Sequence, residues 1–300
     1  MKNYKISVHI SYFLNNNKKK KLFNQVCINY LKLSKNTKIF VHTNKLINST
    51  HKRIKFITYK IKNEHPYKLT WKYRELMFKQ KNNYDFFIYG EDDVIFSKKN
   101  LKYWIKYKDI CVNNNYNLGF LRVDKRKKNN FLYSTDQIKK IKYFLDIRGQ
   151  KFVKLENPYS AFWIYSKNEF KKFTKTKYWS FNWSWKTVSG VLLTREMAAI
   201  GWHGKNMSRY KATIVPLEKK KLHQDSFIKH VSNNYANSPA GLFGTIKVND
   251  LLLKKLIKFQ KSNLIHKLII RFISALYHLF RFNLKKIKKL LGLSFNKFID

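Results

Sequence analysis

The stretch DFFIYGEDD, residues 85–93, determines the fold class that the sequence predicts. Its apolar part is too short for an ordinary helix, and its aromatic and β-branched residues are typical of a buried strand. The run ends in three consecutive acids, Glu91, Asp92 and Asp93. With 17 acids in 300 residues, independent placement gives such a triplet only about 0.05 times per chain. The sequence therefore predicts a strand with three carboxylates at its carboxyl end.

Strand and helix patterns alternate on both sides of this run. Runs rich in β-branched and aromatic residues predict strands, and apolar residues at helical spacing predict helices. The predicted strands are residues 5–14, 38–43, 53–61 and 117–123, and the predicted helices are 20–33, 63–80 (beginning near Pro66) and 98–112. Such alternation predicts an α/β domain with a mixed, mostly parallel sheet flanked by helices.

The second half of the chain has less regular patterns. Residues 124–150 are basic and polar, which predicts a surface excursion with a helix around 135–147. Ordered structure is expected to resume with a strand at 156–166, a helix near 187–200 and a strand at 225–236 that ends in a polar turn. The sequence contains no internal repeat.

The last forty residues differ in character from the rest, so we divide the chain into a domain at 1–258 and a tail at 259–300. Apolar residues alternate with lysine and arginine in this tail, and its longest uncharged stretch, FISALYHLF at 272–280, is too short to span a bilayer. We expect a basic amphipathic helix, or a helix pair, that either lies on an anionic membrane surface or packs against the domain or a partner.

Composition limits the function less than its numbers suggest. The formal net charge of +46 would attract nucleic acid, anionic lipid or phosphorylated small molecules. Abundant Lys, Asn, Ile, Tyr and Phe are also what an AT-rich genome produces, so the charge alone does not decide between partners. Two cysteines exclude a disulfide scaffold and a cysteine zinc cluster. With no secretory signal pattern, we expect a cytoplasmic protein, peripheral at the inner face of a membrane if the tail binds lipid.

Three adjacent carboxylates raise one another's pKa unless a cation neutralises them, so the triplet itself points to a ligand. Mg²⁺ or Mn²⁺ takes oxygen ligands, commonly one or two carboxylates together with the phosphates of a substrate. Open α/β sheets also bind ligands at the carboxyl ends of their strands. The alternative is a solvated acidic turn, because carboxylates are favoured before a helix N-terminus in any case.

The run YGEDDV, followed by the aromatic-rich NLKYWIKY, resembles the metal-binding D-x-D region of GT-A-fold nucleotide-sugar glycosyltransferases in an E-D-D variant. NPYSAFWIYS, REMAAIGWHG and IKHVSNNYA are similar to the acceptor-side and C-terminal parts of bacterial members. The resemblance covers about residues 4–250 and is specific at 85–93. It implies a GT-A-like domain, a nucleoside-diphosphate sugar donor, Mn²⁺ or Mg²⁺, and a glycan, lipid-linked glycan or glycoprotein acceptor.

The resemblance also implies roles for particular residues at the metal. Asp93 would coordinate it directly, Asp92 would contact the ribose or a metal-bound water, and Glu91 would bind through water. Members of the family often use a late histidine as a further ligand, and His230 occupies such a position. A lone histidine is more often structural, and His203 and His223 are rivals for the same role.

An inverting reaction would need a general base, and carboxylates are the usual choice. Three acids in the second half of the chain lie near ordered segments: Glu156, Glu196 and Asp225. We favour Glu196 within REMAAIGWHG, because members of the resembling family often have their base in this region, and we keep Asp225 as the second candidate. An ion pair with Arg195 is the alternative role for Glu196, and a retaining reaction would need no base.

The donor nucleotide needs basic and aromatic contacts. Arg74 could offer a two-pronged contact to phosphate, and His65, Tyr67 or Trp71 could line the base pocket. Trp71 and Tyr73 could equally belong to the core. Three further tryptophans could stack on an acceptor sugar or be buried: Trp179, Trp183 and Trp185.

Two functions of other classes compete with this one. Basic charge interleaved with aromatic residues suits single-strand binding, and clustered acids suit a two-metal nuclease. The lysines are spread along the whole chain, however, and no nucleic-acid motif is present, so we regard a nucleic-acid partner as the weaker hypothesis. The third possibility is a membrane-associated scaffold that has lost activity, against which the intact triplet argues.

Overall fold

The computed structural model describes residues 3–13, 17–47, 51–61, 68–180, 194–203, 210–239 and 241–259. The chain divides into two compact units, Met1–Lys258 and Phe259–Asp300. Only Phe259 of the second unit is described, so the predicted amphipathic tail lies outside the described residues. The first unit is an α/β domain with three mixed sheets flanked by helices.

The central sheet has five strands in the order β11-β4-β1-β2-β3. Its strands are β1 (Ile6–Tyr12), β2 (Thr37–Thr43), β3 (Ile54–Thr58), β4 (Phe86–Glu91) and β11 (Phe162–Ser166). The first four are parallel, and β11 adds an antiparallel edge beside β4. All residues of β1 and β4 are buried, as expected for parallel strands covered on both faces.

Two smaller sheets follow in the second half. One has the path β13-β12-β10-β9-β15 with β6 beside β12, and the other is β5-β14-β7-β8. Their strands are β5 (Val94–Ile95), β6 (Asn117–Leu118), β7 (Leu121–Lys125), β8 (Leu132–Ser134), β9 (Ile141–Ile147), β10 (Gln150–Lys154), β12 (Thr213–Glu218), β13 (Lys221–Leu222), β14 (Phe227–His230) and β15 (Leu252–Lys258). Most neighbouring strands here are antiparallel, so the predicted parallel arrangement holds for the central sheet only.

Six α-helices occur in the described residues. They are α1 (Asn17–Leu31), α2 (Leu69–Lys79), α3 (Lys98–Asn113), α4 (Lys167–Thr174), α5 (Thr194–Ile200) and α6 (Asn234–Asn237). Ser97 caps α3 and Ser166 caps α4, each in a reciprocal capping box with the residue three positions on. An aromatic core joins α2, α4 and α5 to the central sheet, with Tyr73, Phe87 and Trp163 almost fully buried. None of the described helices is long and apolar enough to cross a membrane.

The helix predicted around 135–147 is wrong. Residues Ile141–Ile147 form strand β9, which pairs with β10 in an antiparallel hairpin. Ile141, Leu145 and Ile147 are buried at alternating positions of the strand, which is a period of two and not of 3.6. The two-residue turn between the strands has positive φ at Arg148 and Gly149, the geometry that favours glycine in tight hairpins.

Other predicted elements are real but have different bounds. The strand expected at 156–166 is only β11, and the one expected at 225–236 is only β14, which lies between a 3₁₀ turn at Gln224–Ser226 and α6. The predicted helix at 187–200 is described from Thr194 on, as α5. The helix expected from Pro66 is described from Leu69 to Lys79, as α2.

Candidate functional site

The acidic triplet lies at the carboxyl end of β4, which is between β11 and β1 in the central sheet. Glu91 is the last residue of β4 and its N–H donates to the carbonyl of Ala161, 3.1 Å away. Gly90, just before it, is required by a close approach: a Cβ there would lie 2.5 Å from the hydroxyl oxygen of Tyr30. The chain then turns through Asp92 and Asp93 into β5, so that the carboxylates stand where open sheets bind ligands.

Pairing of β5 with β14 brings His230 to the triplet. His230 pairs with Val94 in an antiparallel register, and the N–H of Val231 donates to the carbonyl of Asp93 at 2.8 Å. As a result, His230 Nε2 lies 3.0 Å from Asp93 Oδ2. The structure thus brings together the predicted ligands Asp93 and His230, which are 137 positions apart.

His230 is held between two carboxylates. Its Nδ1 lies 2.7 Å from Asp124 Oδ1, on the side of the ring opposite Asp93. Burial alone would lower the pKa of His230, but the hydrogen bonds to Asp124 and Asp93 outweigh burial and raise it to about 9. Burial likewise opposes ionisation of Asp93, yet the hydrogen bond from His230 and the nearby positive charges lower the pKa of this carboxyl to about 2. The pair is therefore an imidazolium and a carboxylate near neutral pH.

The other two acids have cationic or hydroxyl neighbours. Lys19 Nζ lies 3.0 Å from Asp92 Oδ2. Glu91 Oε1 accepts a hydrogen bond from the Tyr159 hydroxyl at 3.0 Å, and Arg195 Nε is 3.9 Å away. Burial and the charge of Asp93 nevertheless raise the pKa of Glu91 to about 7 and that of Asp92 to about 6. An additional cation would therefore stabilise the ionised triplet.

One oxygen of the triplet is left without a partner. Asp93 Oδ1 is buried and accepts no hydrogen bond from any described residue. An orphaned carboxylate oxygen beside an imidazole suits a hard divalent cation that takes two ligands from the protein. The described residues contain no group of three or more His, Cys, Asp or Glu arranged to hold a metal. The residues fit a metal completed by substrate phosphates and water rather than a closed protein cage.

A buried ion pair stands behind the triplet. Arg122 donates two hydrogen bonds to Asp136, at 2.9 and 2.7 Å, and both side chains are 5% exposed. Arg122 also helps to hold down the pKa of Glu91 and Asp93. Arg122, on β7 of the four-stranded sheet, therefore contributes fixed positive charge to the site.

Glu196 is linked to the acidic triplet by the side chain of Arg195. Arg195 Nη2 lies 3.2 Å from Glu196 Oε1, and the same guanidinium faces Glu91. The ion pair that the sequence offered as the alternative role is thus present. Glu196 Oε2 is buried and has no hydrogen-bond partner among the described residues.

The second candidate base is not brought to the site. Asp225 precedes β14, whereas His230 ends it, so the rise of the strand puts about 10 Å between the start of β14 and His230. The backbone carbonyl of Asp225 accepts from Asn100 Nδ2 at the start of α3. The structure shows no contact between Asp225 and the triplet, so Asp225 is not among the residues that the fold brings together there.

Two residues predicted to contact the nucleotide, Arg74 and Trp71, are buried in the core. Arg74 is 5% exposed, and its Nη1 donates to the backbone carbonyls of Tyr178 and Trp179 rather than facing the triplet. Trp71 is 7% exposed and stacks on that guanidinium, so it belongs to the aromatic core. His65, along with Tyr67, Trp183 and Trp185, lies outside the described residues.

The rival histidines lie elsewhere in the described domain. His203 is buried with its Nδ1 3.1 Å from the Tyr165 hydroxyl, and burial lowers its pKa to about 4. His223 packs against Tyr103 and Tyr107 and accepts a hydrogen bond from the backbone of Asp225. Neither hydrogen-bonds to the triplet.

Sequence reasoning missed Asp124, Arg122 and Tyr159, and it named Arg195 only as an ion-pair partner of Glu196. Arg122 was assigned to the end of an ordinary strand at 117–123, and Asp124 to the start of the surface excursion at 124–150. The signal was present, because a charged pair at alternating positions of the apolar run FLRVD indicates one polar side facing a buried partner. The partners that Arg122 and Asp124 contact are determined by how β7 pairs with its neighbouring strands.

Comparison with known proteins does not identify a relative. No family model matches the chain. A search of curated proteins gives no match either. The class that the fold and site define is an α/β protein with a buried carboxylate and histidine centre at the end of a parallel strand.

Proposed function

We propose that this protein is a metal-dependent glycosyltransferase of the GT-A-like class. It would move a sugar from a nucleoside-diphosphate sugar to a glycan, a lipid-linked glycan or a glycoprotein. The observation that carries the proposal is the pairing of Asp93 with His230 at the carboxyl end of β4, with Asp93 Oδ1 left unpartnered. A metal completed by the diphosphate of a donor would suit this pair.

The acidic triplet and the residues in contact with it have roles in this proposed reaction. Asp93 and His230 would hold Mn²⁺ or Mg²⁺, which when bound would stabilise charge on the leaving nucleoside diphosphate. Lys19 neutralises Asp92, and Tyr159 orients Glu91 by its hydrogen bond. Both contacts favour the ionised form of the carboxyl group concerned.

Glu196 is the general base in this proposal. Its unpartnered Oε2 would accept the proton of the acceptor hydroxyl while the hydroxyl oxygen of the acceptor forms a bond to the anomeric carbon of the donor sugar. The bond from this carbon to the donor phosphate breaks, and its electron pair leaves with the nucleoside diphosphate. Arg195 lies within ion-pair distance of both Glu196 and Glu91, so the base would stand next to the proposed metal position.

The test is calorimetric titration of the full chain with UDP and GDP, with and without Mn²⁺. Salt is kept high enough to screen non-specific attraction to the net charge of +46. We expect one nucleotide to bind only with Mn²⁺, and Asp93→Asn to abolish this binding. Asp225→Asn is the matched control, since it removes the same charge at the far end of β14.

Two results would reject the proposal. The first is an absence of metal-dependent binding to either nucleotide by folded wild-type protein. The second is affinity for an oligonucleotide that falls steeply with salt and is unchanged by Asp93→Asn, which would favour the nucleic-acid alternative. Thermal melting of each variant establishes that the comparison is made between folded proteins.

A further inference from the structure

Asp124 has no exposed surface, and it touches His230 on the side away from the acidic triplet. Its Oδ1 lies 2.7 Å from His230 Nδ1, while the other ring nitrogen, Nε2, points to Asp93. The two nitrogens of one imidazole are thus divided between a fully buried carboxylate and the candidate metal position. Such an arrangement determines which nitrogen carries a proton.

The orientation of Asp124 is itself fixed by two further donors. The backbone N–H of Ala236, in α6, donates to Oδ2 at 3.0 Å. The hydroxyl of Thr135, just after β8, donates to Oδ1 at 3.3 Å. Because a carboxylate only accepts hydrogen bonds, the oxygen that faces His230 requires a proton on Nδ1. Asp93 likewise accepts from Nε2 in the absence of a metal, so a metal held by Asp93 would bind by displacing the proton of Nε2, and the proton that remains would be the one on Nδ1.

We propose that Asp124 is a positioning residue that holds the proton of His230 on Nδ1 and so presents Nε2 to the metal. This inference deepens the proposed function and rests on it. Histidine ligands generally donate their second N–H to a carboxylate, and loss of that partner lowers metal affinity about 10- to 100-fold. Ser232 Oγ, 2.8 Å from Nε2, is a polar neighbour on the metal side.

The variant Asp124→Asn reverses the tautomer without changing the size of the side chain. The N–H of Ala236 can only donate, so the amide oxygen of Asn must stay at the Oδ2 position. The amide NH₂ group then occupies the Oδ1 position and donates to His230 Nδ1. Nε2 must carry the proton in neutral His230, and a protonated nitrogen cannot ligate a metal. We expect Asp124→Asn to remain folded and to lose the histidine ligand.

The experiment is Mn²⁺ titration of the full chain, followed by pulsed electron paramagnetic resonance of the bound Mn²⁺. This spectrum detects coupling to a directly ligated imidazole nitrogen and needs no turnover. We expect coupling in the wild type, none in His230→Gln, and none in Asp124→Asn together with about 10- to 100-fold weaker Mn²⁺ binding. Asp109→Asn is the matched control: it makes the same change at an exposed carboxylate of α3 that pairs with Lys108, and it should retain both coupling and affinity.

A second variant covers the case in which Asp124→Asn does not fold. Asp124→Ala leaves a cavity of carboxylate size, and formate added to the buffer should restore Mn²⁺ affinity and nitrogen coupling. Coupling that persists in folded Asp124→Asn, or an Asp124→Ala protein that formate does not rescue, would overturn the positioning role.

The wild-type spectrum separates this inference from the proposed function. Asp93-dependent Mn²⁺ binding without nitrogen coupling would reject His230 as a ligand, and with it the role of Asp124, while leaving a metal-dependent transferase intact. No Mn²⁺ binding, alone or with UDP or GDP, would reject the proposed function and this inference together.

Discussion

The guanidinium of Arg74 is stacked on the ring of Trp71, 4.1 Å from its centroid. On its other side Trp179 lies 4.7 Å away, and Nη1 donates to the backbone carbonyl of Tyr178 at 3.0 Å. Arg74, which the sequence analysis proposed as a phosphate contact, therefore joins α2 to the segment after α4. Its flat shape and several donors are what permit stacking and carbonyl contacts at the same time.

Arg74→Lys tests this structural role. A lysine keeps the charge but can neither stack in the same way nor donate to two carbonyls in a fixed geometry, so we expect the free energy of unfolding to fall by about 1–3 kcal/mol. Urea unfolding measures the change. Mn²⁺-dependent nucleotide affinity should stay within about twofold. Unchanged stability with nucleotide binding weakened tenfold or more would instead assign Arg74 to the phosphate.

Arg122 and Asp136 should be much more sensitive to substitution. Both are almost fully buried, and Arg122→Met would leave the carboxylate of Asp136 buried without its partner. We expect a loss of about 3–5 kcal/mol in the free energy of unfolding, measured in urea. The control is Glu75→Gln, which breaks the exposed pair with Lys79 and should change stability little. Equal effects of the two substitutions would contradict the importance of burial.

The central sheet could be predicted because its strands have a local signature. Strand β1 is rich in β-branched and aromatic residues without a Gly or Pro, and β4 is an apolar run that ends in the first acid of the triplet. The triplet's place at the end of a buried strand therefore follows from the sequence alone. The hairpin at residues 141–154 was missed because its hydrophobic alternation was overlooked in a region rich in lysine.

Which residues meet in the site depends on contacts between distant parts of the chain, and no local sequence pattern predicts these contacts. His230 meets Asp93 only because β14 pairs with the two-residue strand β5, and this pairing joins distant parts of the chain. Asp124 enters through β7, the neighbour of β14 on its other side. Residue types could suggest a late histidine, but the strand order decides which carboxylates stand on either side of it.

Glu196 gives the sharpest test of the proposed chemistry. Glu196→Gln keeps the size and the contact with Arg195 but removes the base, so turnover should fall about 10²- to 10⁴-fold. Nucleotide affinity in the presence of Mn²⁺ should be unchanged, because Glu196 is not assigned to the donor. Release of nucleoside diphosphate from the nucleotide sugar that supports turnover is the measurement, with Asp225→Asn as the control. Full activity of Glu196→Gln would exclude this base and favour a retaining reaction.

The two histidines in the centre of the sheet predict a pH dependence of stability. His9 and His42 have no exposed surface, and His9 Nδ1 lies 2.9 Å from His42 Nε2. Burial lowers the pKa of His9 to about 3, although its hydrogen bond with Gln80 opposes this. Burial, together with repulsion from His9, also lowers the pKa of His42. Both rings are therefore neutral in the folded protein at pH values where the unfolded chain binds protons.

The sign of the effect follows from this difference in proton binding. Above the unfolded pKa of about 6.5 neither state is protonated and the histidines contribute no pH dependence; as the pH falls below it, each histidine lowers the free energy of unfolding by up to about 1.4 kcal/mol per pH unit. Urea unfolding of wild type and His9→Gln between about pH 5 and 8, with chelator present, measures the effect. The free energy of unfolding of His9→Gln should fall less steeply with decreasing pH than that of the wild type. Because the acidic triplet is common to both proteins, its titration cancels in the comparison. Parallel curves would mean that His9 is protonated inside the folded domain.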